Sequence, residues 1–365
     1  MGRKKAPLCY QYKEDNIMGY DLKDRILGSM YAAGIGDAIG VPGEAYSRKE
    51  IFETFGHPID KFYDPGDNIY GLGNVSGEVT DDTSQMYEMI KAVIKTNGDL
   101  TVEAAADALV SWSKLYPKYY PRNCGPTMRE WFADYLAGAD PVTLGKAGKK
   151  YGRGISDGAA MRVDGSGLVN PGDWDGAVKT AITMTKGSHG TQHAYSGACA
   201  IACAIAEALT ENAEIHTILK AAVYGAKEGE RIGLEEAREA YGPRVLPKLL
   251  EAIKYVYEAD SPEHASKLIE DNIGCTGDIQ PAVAVAIGLF AANDGDVMET
   301  VKACANIGGD TDTFACIAGM VAGAYKGLSS IPEDVLKEFK EANPALDFDW
   351  AGEEIYRIVQ EKKAK

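Results

Sequence analysis

The stretch Phe314 to Ala324, FACIAGMVAGA, carries no polar residue on any side. A helix that is apolar all round is a buried helix. Any fold of this chain must therefore surround that segment with other elements. The residues just before it sharpen the constraint. Asn306-Ile307-Gly308-Gly309 lead into Asp310-Thr311-Asp312-Thr313, so two carboxylates stand at the mouth of a segment built for the interior.

The elements available to cover it read as helices. Helical spacing of apolar residues predicts helices over 22–40, 82–96, 101–116, 193–209, 214–229, 246–259, 261–272, 281–293, 296–307 and 313–327. Many are opened by Asp, Ser, Thr or Pro and closed by Gly or Asn. Runs of alternating β-branched residues are nearly absent, which argues against a sheet core. Small residues recur four apart at Gly28, Ala32, Gly36 and Gly40, and again at Gly319 and Gly323. Such spacing lets helix backbones approach closely. The expectation is a compact all-α core. Gly-rich loops cover 64–79 and 152–172, and loops of that length are commonly functional. No compositional shift divides the chain, so residues 21–365 read as one domain behind a short N-terminal extension, 1–20.

Charge narrows the partners. Net charge is −16, a field that repels nucleic acid and anionic membrane surface. No apolar run reaches the roughly 18 residues a membrane span needs, and the N-terminus lacks a hydrophobic signal core. The seven cysteines are odd in number, form no Cys-x-x-Cys, and mostly lie in Ala/Ile/Val-rich surroundings. That pattern reads as reduced thiols in a cytoplasmic protein.

Three acidic stretches stand out. Asp310 and Asp312 form the first. The second is Thr80-Asp81-Asp82-Thr83, before another amphipathic helix. Glu44, just past the Pro42 that ends the first helix, is the third. Helix capping explains one acid and one hydroxyl at a helix start. It does not explain paired acids with flanking threonines twice. Asp37, on the first helix, reads as a partner for a neighbouring helix. An EF-hand is excluded, because the required Gly and terminal Glu are missing. Five carboxylates gathered at buried helix ends need cations to remain ionised. Oxygen-only ligands select hard ions, Mg²⁺, Mn²⁺ or Ca²⁺, and five acids suit two ions better than one.

GSMYAAGIGDAIGVPGE, EVTDDT and NIGGDTDTFACIAGMVAGAYKG, in that order from Gly28 to Gly327, resemble the ADP-ribosylglycohydrolase family. The resemblance implies a single compact, orthogonal multi-helix all-α domain with a site for two Mg²⁺ or Mn²⁺ ions. It implies Thr80, Asp81, Asp82, Asp310, Asp312 and Thr313 as metal ligands and Glu44 as a mobile acid at the entrance. GISDGAAMRV, 154–163, is similar to the family's loop beside the substrate ribose and phosphates, which points to Ser156, Asp157, Gly158, Met161 and Arg162. Asp157 stands where Asn is common, and a carboxylate there opposes a diphosphate. His189 aligns with the family's histidine, while His193 reads as structural. Asn123 stands where some members carry an acid.

The function so implied is metal-dependent hydrolysis of a glycosidic bond to ribose, on an ADP-ribosylated protein or small molecule. Glu44, Asp81 and Asp312 are the catalytic candidates, the base being open between Glu44 and a metal-bound aspartate. An N-ribosidase acting on a small riboside is the alternative. A non-catalytic ADP-ribose-binding relative and a metal-dependent phosphohydrolase are further ones.

Overall fold

The computed structural model describes residues 20–147 and 154–364. The expected N-terminal extension lies outside the described residues, Tyr20 apart. Seventeen α-helices follow one another among the described residues, with isolated β-bridges and no strand. They are α1 (Leu22–Gly40), α2 (Arg48–Phe55), α3 (Asp81–Lys95), α4 (Val102–Leu115), α5 (Pro126–Leu136), α6 (Pro141–Lys146), α7 (Asp164–Leu168), α8 (Trp174–Thr185) and α9 (Gln192–Ala208). Then come α10 (Ile215–Glu236), α11 (Val245–Glu258), α12 (Pro262–Ile273), α13 (Ile279–Ala292), α14 (Val297–Ala305), α15 (Thr311–Lys326), α16 (Glu333–Ala342) and α17 (Phe348–Lys363). None is long and apolar enough to cross a membrane.

The apolar segment Phe314 to Ala324 belongs to α15, which is buried from Thr311 through Ala324. Its closest neighbour is α1, which runs antiparallel to it. A Cβ on Gly28 would lie 2.5 Å from the Gly323 carbonyl oxygen, and one on Gly40 2.5 Å from the Asp312 Cα. Gly36 meets Ala315, and Gly319 meets Ala32, at equally close range. The small-residue stripe thus brings two backbones into contact along their length. It also sets the end of α1 beside the start of α15.

Two expectations need correction. The helix read as 214–229 continues to Glu236. Gly229 is a packing residue, not a stop: Gly225, Gly229 and Gly233 lie against α9, where a Cβ on Gly233 would stand 2.5 Å from the Gln192 Cα. The stretch 152–172, read as a loop, contains a 3-10 turn at Asp157–Ala159 and the short α7, both buried. Its glycines disfavour helix locally, but a Cβ on Gly167 would come within 2.6 Å of Ile205. Close packing on α9 overrides propensity there.

Candidate functional site

The acids are brought together by the ends of three helices. The chain leaving α1 passes Glu44 and is pinned to the Gly308-Gly309 turn, with Ala45 N donating to Gly309 O at 2.7 Å and Gly309 N to Tyr46 O at 2.8 Å. Gly309 has φ +77°, and any side chain there would strike Cys275. The paired glycines are therefore what lets this turn sit against its neighbours. α3 is docked by Asp37, whose carboxylate accepts the backbone N–H groups of Thr80 and Thr83.

The acids are not caps. Thr80 is the N-cap of α3, its hydroxyl accepting the Asp82 N–H at 3.3 Å. Asp310 occupies the N-cap position of α15 without a side-chain capping bond. Glu44, Asp310 and Asp312 instead bring carboxylate oxygens within 4.8 Å of one another. Glu44 Oε2, Asp82 Oδ2, Asp157 Oδ2 and Asp312 Oδ1 are buried without a hydrogen-bond partner. Burial pushes the carboxyls of Glu44, Asp82, Asp157 and Asp312 far above the ordinary range, with neighbouring acids adding to it. Burial, then Asp37, raises Asp81 to about 8. Such a set is costly as bare anions. Unpartnered oxygens at the positive ends of two helices, with no soft ligand among them, fit hard cations.

A cavity of about 250 Å³ opens over this floor. Its lining includes Glu44, Asp81, Asp82, Asn123, Ser156, Asp157, Gly158, Met161, Arg162, His189, Asp310, Asp312 and Thr313. Thr80 does not reach it and stands one residue behind. His193 is also absent, being buried with its ring near Tyr241 O at 3.3 Å.

The walls are fixed by a chain of polar contacts. Gln85 donates to Asp81 Oδ2 at 2.8 Å and accepts from Arg162 Nη1 at 2.8 Å. Arg162 Nη2 reaches His189 Nδ1 at 3.0 Å and Ser188 Oγ at 3.3 Å. A guanidinium only donates, so His189 Nδ1 accepts and the ring proton sits on Nε2. Nε2 then donates to Ser156 Oγ at 3.0 Å, which leaves the hydroxyl hydrogen of Ser156 to turn toward the cavity.

Asn123, named with the substrate-binding candidates by the family resemblance, lines the cavity and also holds a neighbouring loop. Its amide accepts from Arg122 Nε at 2.8 Å and donates to Tyr70 O at 2.9 Å. It ties down the 64–79 loop, which a carboxylate there has no hydrogen to do. That loop brings Tyr70 to the cavity, 37% exposed. Tyr70 gave no sequence signal. Gln85 did, in principle, because it follows Asp81 by one helical turn. Cys124 also lines the wall, its thiol pushed up to about 12 by burial and so neutral.

Comparison with known proteins agrees with this geometry. The sequence profile of the ADP-ribosylglycohydrolase family matches residues 18–364. Uncharacterized protein YegU of Escherichia coli is 27% identical over 343 residues, covering 93% of this chain and 99% of that protein. The ADP-ribosyl-dinitrogen reductase glycohydrolase of Rhodospirillum rubrum is 25% identical over 327 residues, covering 88% and 92%. One chain of a solved ADP-ribosylglycohydrolase-related protein complex shares the fold with a TM-score of 0.63 at 22% identity, covering 93% of this chain and 99% of that one. With the profile spanning nearly all of its length, this chain belongs to the ADP-ribosylglycohydrolase family and is a hydrolase of the glycosidase type.

Proposed function

We propose that this protein uses two divalent cations, Mg²⁺ or Mn²⁺, to hydrolyse the glycosidic bond at the anomeric carbon of an ADP-ribosyl group. The observation that carries the reading is the set of buried carboxylate oxygens without partners on Glu44, Asp82 and Asp312. In this reading Asp81, Asp82, Asp310, Asp312 and Thr313 hold the ions. Thr80, with its hydroxyl already accepting the Asp82 amide, has a lone pair left for the same role. Bound there, the cations supply charge neutralisation, an anchor for vicinal ribose hydroxyls and a more acidic water.

The chain's own groups do the rest. Ser156 offers its hydroxyl hydrogen to a substrate oxygen, in an orientation set by His189. Gly158 keeps the space beside His189 open, since a Cβ there would lie 3.3 Å from Nε2. Glu44, on the loop after α1 and partly exposed like Asp310, exchanges protons with solvent and takes the proton of the attacking water. Asp81 and Asp312 set the negative field in which an oxocarbenium-like transition state is favoured.

The test is a product assay on ADP-ribosylated peptides and free ribosides. EDTA-treated enzyme should release neither ADP-ribose nor ribose, and Mg²⁺ or Mn²⁺ should restore release and raise the melting temperature. Full turnover in metal-free enzyme would overturn the reading. Release of phosphate alone would point to a phosphohydrolase, and ADP-ribose binding without turnover to a non-catalytic relative.

A second reading, an N-ribosidase for a small unphosphorylated riboside, is favoured by two observations. Both terminal nitrogens of Arg162, the one cationic side chain lining the cavity among the described residues, are engaged by Gln85, Ser188 and His189. The cavity of about 250 Å³ is also small for a dinucleotide-sized ligand. The same assay separates the two through kcat/KM. The described cysteines are all free, which suits the cytoplasm.

A further inference from the structure

The sequence resemblance set Asp157 beside the phosphates of a substrate. Its position in the fold gives it other neighbours. The residue is 7% exposed, and its Oδ2 is buried without a hydrogen-bond partner. Burial, and then Asp310 through its charge and a side-chain hydrogen bond, raises its carboxyl well above the ordinary range, with Asp82 and Asp278 adding less. A Cβ on Gly277 would lie 2.7 Å from Asp310 Oδ2 and 3.6 Å from Asp157 Oδ2, so the missing side chain leaves a gap that both carboxylates border.

The placement is enforced by the backbone. Asp157 N donates to Gly277 O at 3.1 Å, and Ile279 N donates to Ile155 O at 3.0 Å. These two bonds lock the 3-10 turn onto the entry to α13. They fix the backbone of Asp157, and so its Cβ, beside the acids. Two such acids are not stable side by side as bare anions: without metal they share a proton, and a cation seated in the gap they both border takes that proton's place.

We infer that Asp157 is an additional carboxylate ligand of the cation site, contributed by the 154–163 loop and shared with Asp310. This inference rests on the proposed metal-dependent reading. Its consequence is that the loop which grips the sugar is tied to the cation site, so binding of the ions orders Ser156 as well.

The test is Mn²⁺ binding to the full chain, by calorimetry and by loss of the free-ion spin-resonance signal, in the absence of substrate. Asp157→Asn keeps the shape and removes the charge, and it should weaken Mn²⁺ binding by about tenfold or more. Asp157→Ala should do the same. Asp278→Asn removes an equal charge from the facing loop, on an exposed residue outside the cavity lining. It should change affinity by less than about twofold, because exposed charges are screened. Melting of the metal-free Asp157 variants at or above the wild-type temperature separates lost binding from lost folding. Wild-type affinity in both Asp157 variants, or an equal loss in Asp278→Asn, overturns the inference while leaving the metal site standing. A wild-type protein that binds no Mn²⁺ overturns the metal-dependent reading itself.

Discussion

Both carboxylate oxygens of Asp37 accept the backbone N–H of Thr80, at 3.1 and 3.0 Å, and Oδ2 also accepts that of Thr83 at 3.1 Å. One residue of α1 therefore caps α3 from outside and sets where Asp81 and Asp82 begin. Asp37 is fully buried, so its removal leaves those donors without partners or water. Asp37→Ala is expected to cost about 3 kcal/mol in denaturant unfolding of the metal-free protein, and to weaken Mn²⁺ binding through the displaced first turn of α3. Unchanged values for both would mean that α3 is positioned by its other contacts alone.

The contact between α1 and α15 carries the second prediction. A methyl at position 36 has no space, because it would press on the Ala315 carbonyl. Neither helix can yield without moving Glu44 or Asp312 at their shared end. Gly36→Ala should destabilise by about 2 kcal/mol and lower Mn²⁺ affinity as well. Gly56→Ala is the reference: its φ of +74° brings strain but nothing stands within 4 Å, so it should lose some stability and keep its affinity.

The sequence made this relationship legible because it was written in residue size. Gly28, Ala32, Gly36 and Gly40 sit four apart and face Gly323, Gly319, Ala315 and Asp312 in turn. The acids at the head of α15 were equally legible, since a buried helix has no ordinary use for them. Less visible was whatever depended on a distant partner. α2, α5, α6, α8, α16 and α17 escaped the helical reading, and the glycines of α10 looked like a stop until α9 was found against them. Asn123 shows in the sequence only as an amide where some family members carry an acid. Its bond to Tyr70 O spans 53 positions and leaves no local pattern. The place of Asp157 beside Asp310 is illegible for the same reason, because the backbone of 277–279 holds its turn there.

Asp164 should set a pH dependence of stability away from the acids of the cavity. It is fully buried, and Ser29 Oγ lies 2.7 Å from its Oδ1 and 2.8 Å from Met320 O. The single hydroxyl hydrogen of Ser29 serves only one of these acceptors. A protonated Asp164 resolves the conflict by donating to Ser29, which then donates to Met320. Burial accordingly raises the Asp164 carboxyl to about 7. The folded state then holds this proton when the unfolded chain has lost it. The stabilisation is complete below the unfolded carboxyl range, near 3.8, and is lost as pH rises to about 7. The full shift corresponds to on the order of 4 kcal/mol. Asp164→Asn donates to Ser29 at every pH, so unfolding followed between pH 4 and 8 should fall less steeply in the variant. An identical slope in both proteins would show that Asp164 does not titrate in this window.

Arg162 joins the two halves of the site, and this makes its replacement by Lys informative. Through Gln85 it fixes Asp81 on the acidic floor, and through His189 it fixes Ser156 on the sugar-facing loop. The fork geometry matters more than the charge, because Nη1 and Nη2 serve partners on different elements. Lys brings the same charge to one point, so it can hold one side only. With Nδ1 of His189 no longer held as an acceptor, the ring is free to take the other tautomer and Ser156 loses its orientation. Displacement of a reacting group by about 1 Å costs about 100-fold in rate, and that is the expected loss of kcat/KM in Arg162→Lys. Because the charge is kept and the carboxylates are untouched, Mn²⁺ affinity should change by much less than it does in Asp157→Asn. Equal losses in the two measurements would place Arg162 in the charge balance of the cations. A variant with wild-type kcat/KM would mean that Asp81 and Ser156 are positioned independently of each other.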